Sequence, residues 1–370
     1  MIAVIGTRGL PDVLGGVERH CEELYTRLVA QGFDVLVMSR SPYVSAPRWS
    51  TWRGVRLRKV WAPRGKGVEA FWHSFVSVGL ARAAGARVVH VHAIGPGLVV
   101  PLARRLGMRT VFTHHGRDYV RDKWGRAARA VLRAGERAAV RHADAVLAVS
   151  REIEESVRTD FGREAVYAPN GIAVAPRPAA AVDTTLEGLG LKRGGYVVAV
   201  TRLVPEKGIH DLVDAVSGAD DIPMAIVVGE GGHRSAYADR LKAAAPAKVR
   251  FLGFQPHAVT LDLVRGARVF VLPSYHEGLP IALLEALACG TPVVASAIAA
   301  NREVIADRAY GWHVEPRDVA GLRAAVRQAW RLDGPEREAL ATRGQALVAE
   351  HFSWEHTAAC VARVYRALGE

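Results

Sequence analysis

Ser274–Glu285, SYHEGLPIALLE, sets two glutamates eight positions apart around the start of an apolar run. The strand-like lead-in VFVLP ends at Pro273, and Pro280 suits the first position of a helix, where a missing N–H costs nothing. The amides of Gly278 and Leu279 are then expected to point from a positive helix end towards an anion. Glu277 precedes that helix and Glu285 lies inside it, about six residues or 9 Å further along the axis. Carboxylates so spaced cannot share one proton-transfer step, but they can hold two separated hydroxyl-bearing parts of one extended ligand. Upstream, VTRLVPEKG (Val200–Gly208) sends Arg202 and Lys207 out of the end of another strand. Two cations there can flank a diphosphate, each full charge pair being worth about 4 kcal/mol at about 4 Å and an effective dielectric of about 20, before desolvation. VGEGG (Val228–Gly232) is a glycine-rich turn that lets backbone approach a ligand closely. Taken singly, these are equally a solvated pair of cations, an ordinary turn and a helix glutamate paired with a cation. Their convergence points to a grip for a polyhydroxylated anion.

Such loops need strands to hold them. IAVIG (Ile2–Gly6), FDVLVMS, VVHVH (Val88–His92), TVFTHH (Thr110–His115), AVLAVS (Ala145–Ser150) and EAVYAPNG (Glu164–Gly171) alternate with longer helical patterns, the first ending at Gly32. Pro176, Pro178 and an alanine run give residues 173–195 the composition of a linker. The alternation restarts with GYVVAVTRL, MAIVVGEGG, KVRFLGF, ARVFVLPS, TPVVAS and GWHVEP, then closes with helices over Glu336–Ala349 and Trp354–Leu368. Buried strands separated by helices imply parallel βαβ units. The expectation is an α/β protein with two tandem Rossmann-like, doubly wound domains, residues 1–172 and 196–350, the helix at 354–368 packing back on the first. Ligands in such folds sit outside the carboxyl ends of the strands.

The 370 residues are half apolar and carry a formal charge of +12 (49 basic minus 37 acidic), which favours anionic partners. The three cysteines, Cys21, Cys289 and Cys360, are far apart, so neither a disulfide framework nor a zinc site is expected. A reducing, cytoplasmic compartment fits that usage, and MIAVIGTRG lacks the basic start of a signal peptide. Ile281–Ala300 is apolar enough to suggest a membrane span, but Glu285 and the Gly290-Thr291-Pro292 break predict a buried helix, a turn and a buried strand.

SYHEGLPIALLEALACGTPVVAS resembles the E-x7-E signature of the retaining family-four glycosyltransferases, which have the GT-B fold of two Rossmann-like domains facing across a cleft. GGVERH, APNGI, TRLVPEKG, VGEGG and VRFLGF occur in that family's order, so the resemblance covers most of the chain. It implies that Arg202 and Lys207 bind the diphosphate of a nucleotide-sugar donor, that Glu277 holds the sugar hydroxyls and that Glu285 holds the ribose. It places the backbone of Gly253-Phe254 at the nucleobase. Leu279 stands where many members carry Phe, a change expected to alter packing alone. The donor is a substrate, and no separate cofactor or metal is expected; no Asp-x-Asp occurs in the sequence. The opening IGTRGLP…GGVE is similar to bacterial rhamnosyl- and hexosyltransferases of cell-surface polysaccharide assembly, which implies a sugar, lipid-linked or small-molecule acceptor. Two rival functions share the grip: a nucleotide-sugar hydrolase or epimerase of the same architecture, and a non-catalytic nucleotide-sugar-binding protein.

In GTRGLPDVLGGVERH, Gly15-Gly16 ahead of a helix suits close approach of amides to a phosphate. Gly6, Gly9, Gly15 and Gly16 do not fit G-x-G-x-x-G, so a nicotinamide cofactor is not expected. The resemblance implies that Gly15-Gly16 face the donor phosphates and that His115 in THHGRDY touches the donor sugar near its reacting carbon, a better match than His114. Asp118 is a candidate acceptor contact. Asn170 in PNG ends the first domain's last strand and could reach the cleft, or is simply an Asn-Gly turn. Arg121–Arg141 carries seven basic residues, four of them (Arg126, Arg129, Arg133 and Arg137) at helical spacing. A solvated face is the default reading. The alternative is peripheral docking on an anionic membrane, such as the inner face of the plasma membrane, worth about 1 kcal/mol per contacting cation. No nucleic-acid motif accompanies the charge.

Overall fold

The structure is a computed structural model and describes every residue of the chain except 14, 64, 66–67, 121–123 and 232–234. It divides into two compact units, Met1–Gly171 with Trp354–Glu370, and Ile172–Ser353.

The first unit is built on β1 (Ile2–Ile5), β2 (Val35–Arg40), β3 (Trp49–Trp52), β4 (Val55–Val60), β5 (Val88–His92), β6 (Arg109–His114), β7 (Ala145–Ala148) and β8 (Val166–Tyr167). They form one sheet in the order β3-β4-β2-β1-β5-β6-β7-β8. All pairings are parallel except that of β3 with β4. β1, β2 and β5 are buried along their whole length, as a sheet covered on both faces requires. The β3–β4 hairpin turns on Arg53 and Gly54, both at positive φ, the geometry of a two-residue primed turn. Helices α1 (Gly16–Ala30), α2 (Val68–Ala83), α3 (Val100–Arg105), α4 (Arg126–His142) and α5 (Arg151–Phe161) connect the strands. EAVYAPNG supplies only the two-residue β8; the rest runs as loop to Gly171.

The second unit holds α6 (Ala179–Gly188), β9 (Val197–Val200), α7 (Ile209–Ser217), β10 (Ala225–Val228), α8 (Ala236–Ala244), β11 (Val249–Gly253), α9 (His257–Gly266), β12 (Val269–Leu272), α10 (Ile281–Ala288), β13 (Val293–Ser296), α11 (Ala299–Val304), β14 (Trp312–Val314), α12 (Val319–Trp330) and α13 (Gly334–His351). Its sheet is parallel throughout, in the order β11-β10-β9-β12-β13-β14. Ile281–Ala300 resolves into α10, a turn, β13 and the start of α11. No helix among the described residues is long and apolar enough to cross a membrane.

Helix α14 (Trp354–Ala367) belongs to the first unit and packs on α1. Ala358, Val361, Ala362 and Tyr365 join Leu24, Tyr25 and Leu28 in its core. Thr357 Oγ1 donates to the Pro169 carbonyl at 2.6 Å, tying the helix to the loop after β8.

The expected linker at 173–195 needs correction. Pro178 caps α6, because its fixed φ starts a helix well, and the alanines that follow are strong helix formers. Val182 and Leu186 are buried, α6 packs on α9, and Gly266 lies so close that a Cβ there would fall 2.4 Å from Leu186 Cδ1. Leu186→Ala should therefore destabilise the second unit by about 2–5 kcal/mol in urea titrations. A residue in a true linker would change stability by no more than about 0.5 kcal/mol.

Candidate functional site

In each sheet the first strand of the unit lies between neighbours reached by opposite windings. The connection from β9 runs to β10 on one side and that to β12 on the other. The crevice outside the ends of β9 and β12 is therefore the topological switch point of the second unit, and β1 with β5 forms that of the first.

Both loops at the β9/β12 crevice carry the residues singled out above. Arg202 leaves the end of β9 and is half-buried. Pro205–Lys207 then make one tight helical turn, which aims the buried Lys207 at the loop after β12. Its Nζ donates to Glu277 Oε1 at 2.5 Å, an ion pair largely withdrawn from solvent. Gly208 closes the turn at φ +62. A Cβ there would meet the Pro273 carbonyl oxygen at 2.1 Å, so the approach of the two loops requires glycine. The Tyr275 amide donates to the Glu206 carbonyl (2.9 Å), adding a backbone tie. The tyrosine hydroxyl donates to Asp211 Oδ2 (2.6 Å) and accepts from His210 Nε2 (2.9 Å). Burial and the Asp211 carboxylate push the Tyr275 phenol well up, so it stays a neutral donor.

The start of α10 needs a one-residue correction. Pro280 is extended (ψ 105) and caps the helix from outside, so regular helix begins at Ile281. The amides of Gly278 and Leu279 thus lie in the loop, and Leu279 is buried. Among the described residues, no side chain caps this helix end. Glu285, one turn in, accepts from His257 Nε2 at 2.7 Å across to the first residue of α9. Beside it, the Phe254 amide donates to Glu230 Oε1 (3.2 Å), and Gly253 at φ +66 sits against the same oxygen. The Phe254 ring is 46 % exposed. Of VGEGG, Val228–Gly231 are placed and Gly232 lies outside the described residues.

In the first unit, Gly15 caps α1 at φ +154 with Glu18 folded back over it. A Cβ on Gly15 would fall 2.0 Å from Glu18 Oε2, while the space above Gly16 is open. Glu18 Oε1 accepts from the Arg8 amide (3.0 Å), so the first-turn carboxylate braces the loop.

His115, the residue after β6, lies among other imidazoles. His92 Nδ1 and His115 Nε2 are 2.9 Å apart, and His20 stands edge-on to His115 at 4.8 Å between ring centroids. Behind His92, the Tyr25 hydroxyl lies 2.5 Å from its Nε2 and 3.0 Å from His90 Nδ1. His90 in turn meets the Tyr365 hydroxyl of α14 and Thr113 Oγ1. Asn170 Oδ1 accepts from His20 Nδ1 (2.8 Å), which leaves Nε2 of the neutral ring as a buried lone pair with no hydrogen-bond partner among the described residues. Desolvation, helped by neighbouring imidazoles, holds His90, His92 and His115 well below the ordinary histidine value. Burial takes His20 down to about 4, against the opposing bond from Asn170. His114 points elsewhere, accepting from the Gly116 amide and donating to buried Glu136 (2.9 Å). Asp118 lies half-buried in the short turn Asp118–Val120. On α4, Arg126, Arg133, Arg137 and Arg141 are exposed and Arg129 is half-buried, while Arg121 and Lys123 lie outside the described residues.

One ring nitrogen from each of His20, His92 and His115 lies within 4.8 Å of the others, a group that a small ring movement could gather around a borderline divalent cation. An ion there would take up the imidazole of His115. The sequence reading missed His20, His90, His92, Tyr25 and His257. The one local signal was VVHVH, whose two histidines share one face of a strand.

Residues 15–171 match the family model for the glycosyl transferase 4-like domain, and residues 187–347 that for glycosyl transferases group 1. Glycogen synthase of Mycobacterium tuberculosis is 31 % identical over 392 residues, 96 % of this chain and 92 % of the relative. The chain is a family-four glycosyltransferase. Its GT-B fold is also that of a sucrose-phosphate synthase from Thermosynechococcus elongatus (TM-score 0.86, 24 % identity, 99 % and 98 % of the two chains). Anabaena HepE, solved with UDP and glucose, aligns at TM-score 0.81 and 19 % identity over 99 % of both chains.

The glycosyltransferase's imidazoles give stability a definite pH dependence. Folding holds His20 near 4 and His73 near 3, both chiefly by burial, whereas the unfolded chain titrates at about 6.5. The depressed values mean that protonation favours the unfolded state. Stability is full above about pH 6.5 and falls with decreasing pH by up to about 1.4 kcal/mol per group per unit. Melting midpoints should drop steeply between about pH 6.5 and 5, and less steeply in His73→Asn. Equal slopes in the two proteins would count against a buried neutral His73.

Proposed function

We propose that the enzyme transfers a hexosyl or deoxyhexosyl group from a nucleotide diphosphate donor to an acceptor hydroxyl, with retention of anomeric configuration, in the assembly of a cell-surface glycan, glycolipid or glycoconjugate. The observation that carries this reading is the Lys207–Glu277 pair at the β9/β12 switch point, with Arg202 on the same strand end. HepE, of the same fold, is known with UDP-glucose. In this reading Arg202 and Lys207 meet the diphosphate, and Glu277, whose salt bridge uses Oε1, accepts from the sugar hydroxyls. Glu285 accepts from the ribose, with His257 fixing its carboxylate, and Gly253-Phe254 frame the base. Gly15-Gly16 offer amides to the donor phosphates.

As the glycosidic bond breaks, its electron pair passes to the diphosphate. Cations already fixed at that oxygen stabilise the transition state more than the ground state. Neutral His115 supplies a hydrogen bond to the sugar without adding charge beside the forming oxocarbenium. No side chain is assigned as a covalent nucleophile, so displacement occurs on the front face: the acceptor oxygen bonds the anomeric carbon as its bond to the diphosphate breaks, and the acceptor's proton passes to the departing phosphate oxygen. The chemistry is metal-independent; EDTA should leave turnover unchanged, and a reversible loss would contradict this. We place the reaction in the cytoplasm, with the exposed arginines of α4 offering peripheral contact to an anionic membrane.

Glu277→Ala and Lys207→Ala should each lower turnover at least about tenfold, about 1.4 kcal/mol of barrier. Because the two side chains act as one pair, the double variant should lose much less than the product of the single losses. Near-native rates in folded single variants would remove the assignment.

A further inference from the structure

Helix α2 is inside out. Over its first turns the inward positions carry Glu69, His73, Ser74 and Ser77, all buried, and only towards its end the apolar Val78 and Ala81. Its outward stripe, at helical spacing, is Val68, Phe71, Trp72, Phe75 and Val76. Val68 is 63 % exposed, Phe71 49 % and Trp72 47 %. A surface helix normally turns its apolar stripe to the core. Here the inward polar groups are used. Glu69 accepts from Arg40 Nη1 (3.1 Å) and from the Tyr43 hydroxyl (3.1 Å), and Ser74 bonds the Ala70 carbonyl. Rotating the helix to bury Phe71 and Trp72 would break that buried ion pair, so the outward stripe is fixed by the fold.

The stripe continues beyond the helix. Trp61, just past β4 and 65 % exposed, meets Trp72 edge-on at 6.1 Å between centroids. Beside it, Ser41, Pro42, Ala62 and Pro63 complete an open recess of about 310 Å³. The charge along this segment has one sign. Between Ser41 and Ala84 the sequence carries a single acid, Glu69, neutralised by Arg40. At the end of β4 next to Trp61, the Lys59 amide donates to the carbonyl of exposed Arg48 (2.9 Å), which sets these two cations beside the patch.

We propose that this face docks on an anionic lipid bilayer, with Trp61, Phe71 and Trp72 entering the headgroup region. Amphipathic rings belong at that depth, and surrounding cations meet anionic headgroups. A second copy fits poorly, since a two-fold contact would set the same basic rim against itself. The surface is distinct from α4, whose outward residues offer charge with little apolar area, and it does not depend on the residues assigned to sugar transfer.

The test is sedimentation of the full chain with phosphatidylcholine vesicles and with vesicles containing phosphatidylglycerol. The wild type should pellet with the anionic vesicles, and Trp61→Ser/Trp72→Ser should weaken binding at least about tenfold while keeping wild-type turnover on a water-soluble acceptor. Brominated lipid should quench wild-type tryptophan fluorescence more than that of the variant. Arg133→Glu/Arg137→Glu, which removes the weaker contact at α4, should lower binding less than the tryptophan changes do. No pelleting of the wild type, equal pelleting of the tryptophan variant, or a wild-type dimer that the tryptophan changes dissociate would each overturn the proposal.

Discussion

Two loops leave neighbouring strands of the second sheet and come within backbone contact of each other. At Gly208 no Cβ would fit beneath the Pro273 carbonyl, and from either side of that contact Lys207 and Glu277 join in an ion pair shielded from solvent. A salt bridge taken out of water costs desolvation that its own attraction barely offsets. Its presence at a switch point therefore reads as positioning more than as stability. The tight turn at Pro205–Lys207, the left-handed glycine and the Tyr275–Asp211–His210 bonds all serve to hold one cation and one carboxylate at fixed places. A ligand at this pair would meet groups whose positions were set during folding.

The first unit solves a different problem. Its imidazoles are assembled where desolvation keeps them uncharged, so His115 presents a dipole and not a cation. The hydrogen-bond chain from Tyr365 through His90, Tyr25 and His92 reaches it from α14, the last helix of the chain. That helix is consequently part of the first unit's chemistry as well as of its core.

Much of this was legible in the residues. Buried β-branched runs such as IAVIG and VVAV announce parallel strands, and Gly208 and Glu277 sit in loops after strands because those loops carry the glycines and prolines. What was not legible follows from context. The β3–β4 hairpin turns on Arg-Gly in place of the usual Asn-Gly or Asp-Gly, so its signal is weak. α6 hid behind Pro176 and Pro178, the second of which caps it. The partners of His115 and Glu285 come from distant segments, His20 on α1, His92 on β5 and His257 on α9, and no local pattern encodes such meetings. α2 escaped because its apolar residues keep helical spacing while facing the wrong way.

The central claim is that the β9/β12 crevice recognises a diphosphate. Isothermal titration of UDP, GDP, ADP and dTDP, each against its monophosphate, on wild type and Arg202→Ala tests it most directly. One diphosphate should bind at least about tenfold more tightly than its monophosphate, a gap of about 1.4 kcal/mol that the variant loses. Equal affinity for mono- and diphosphate, or a gap that survives in Arg202→Ala, would contradict the account.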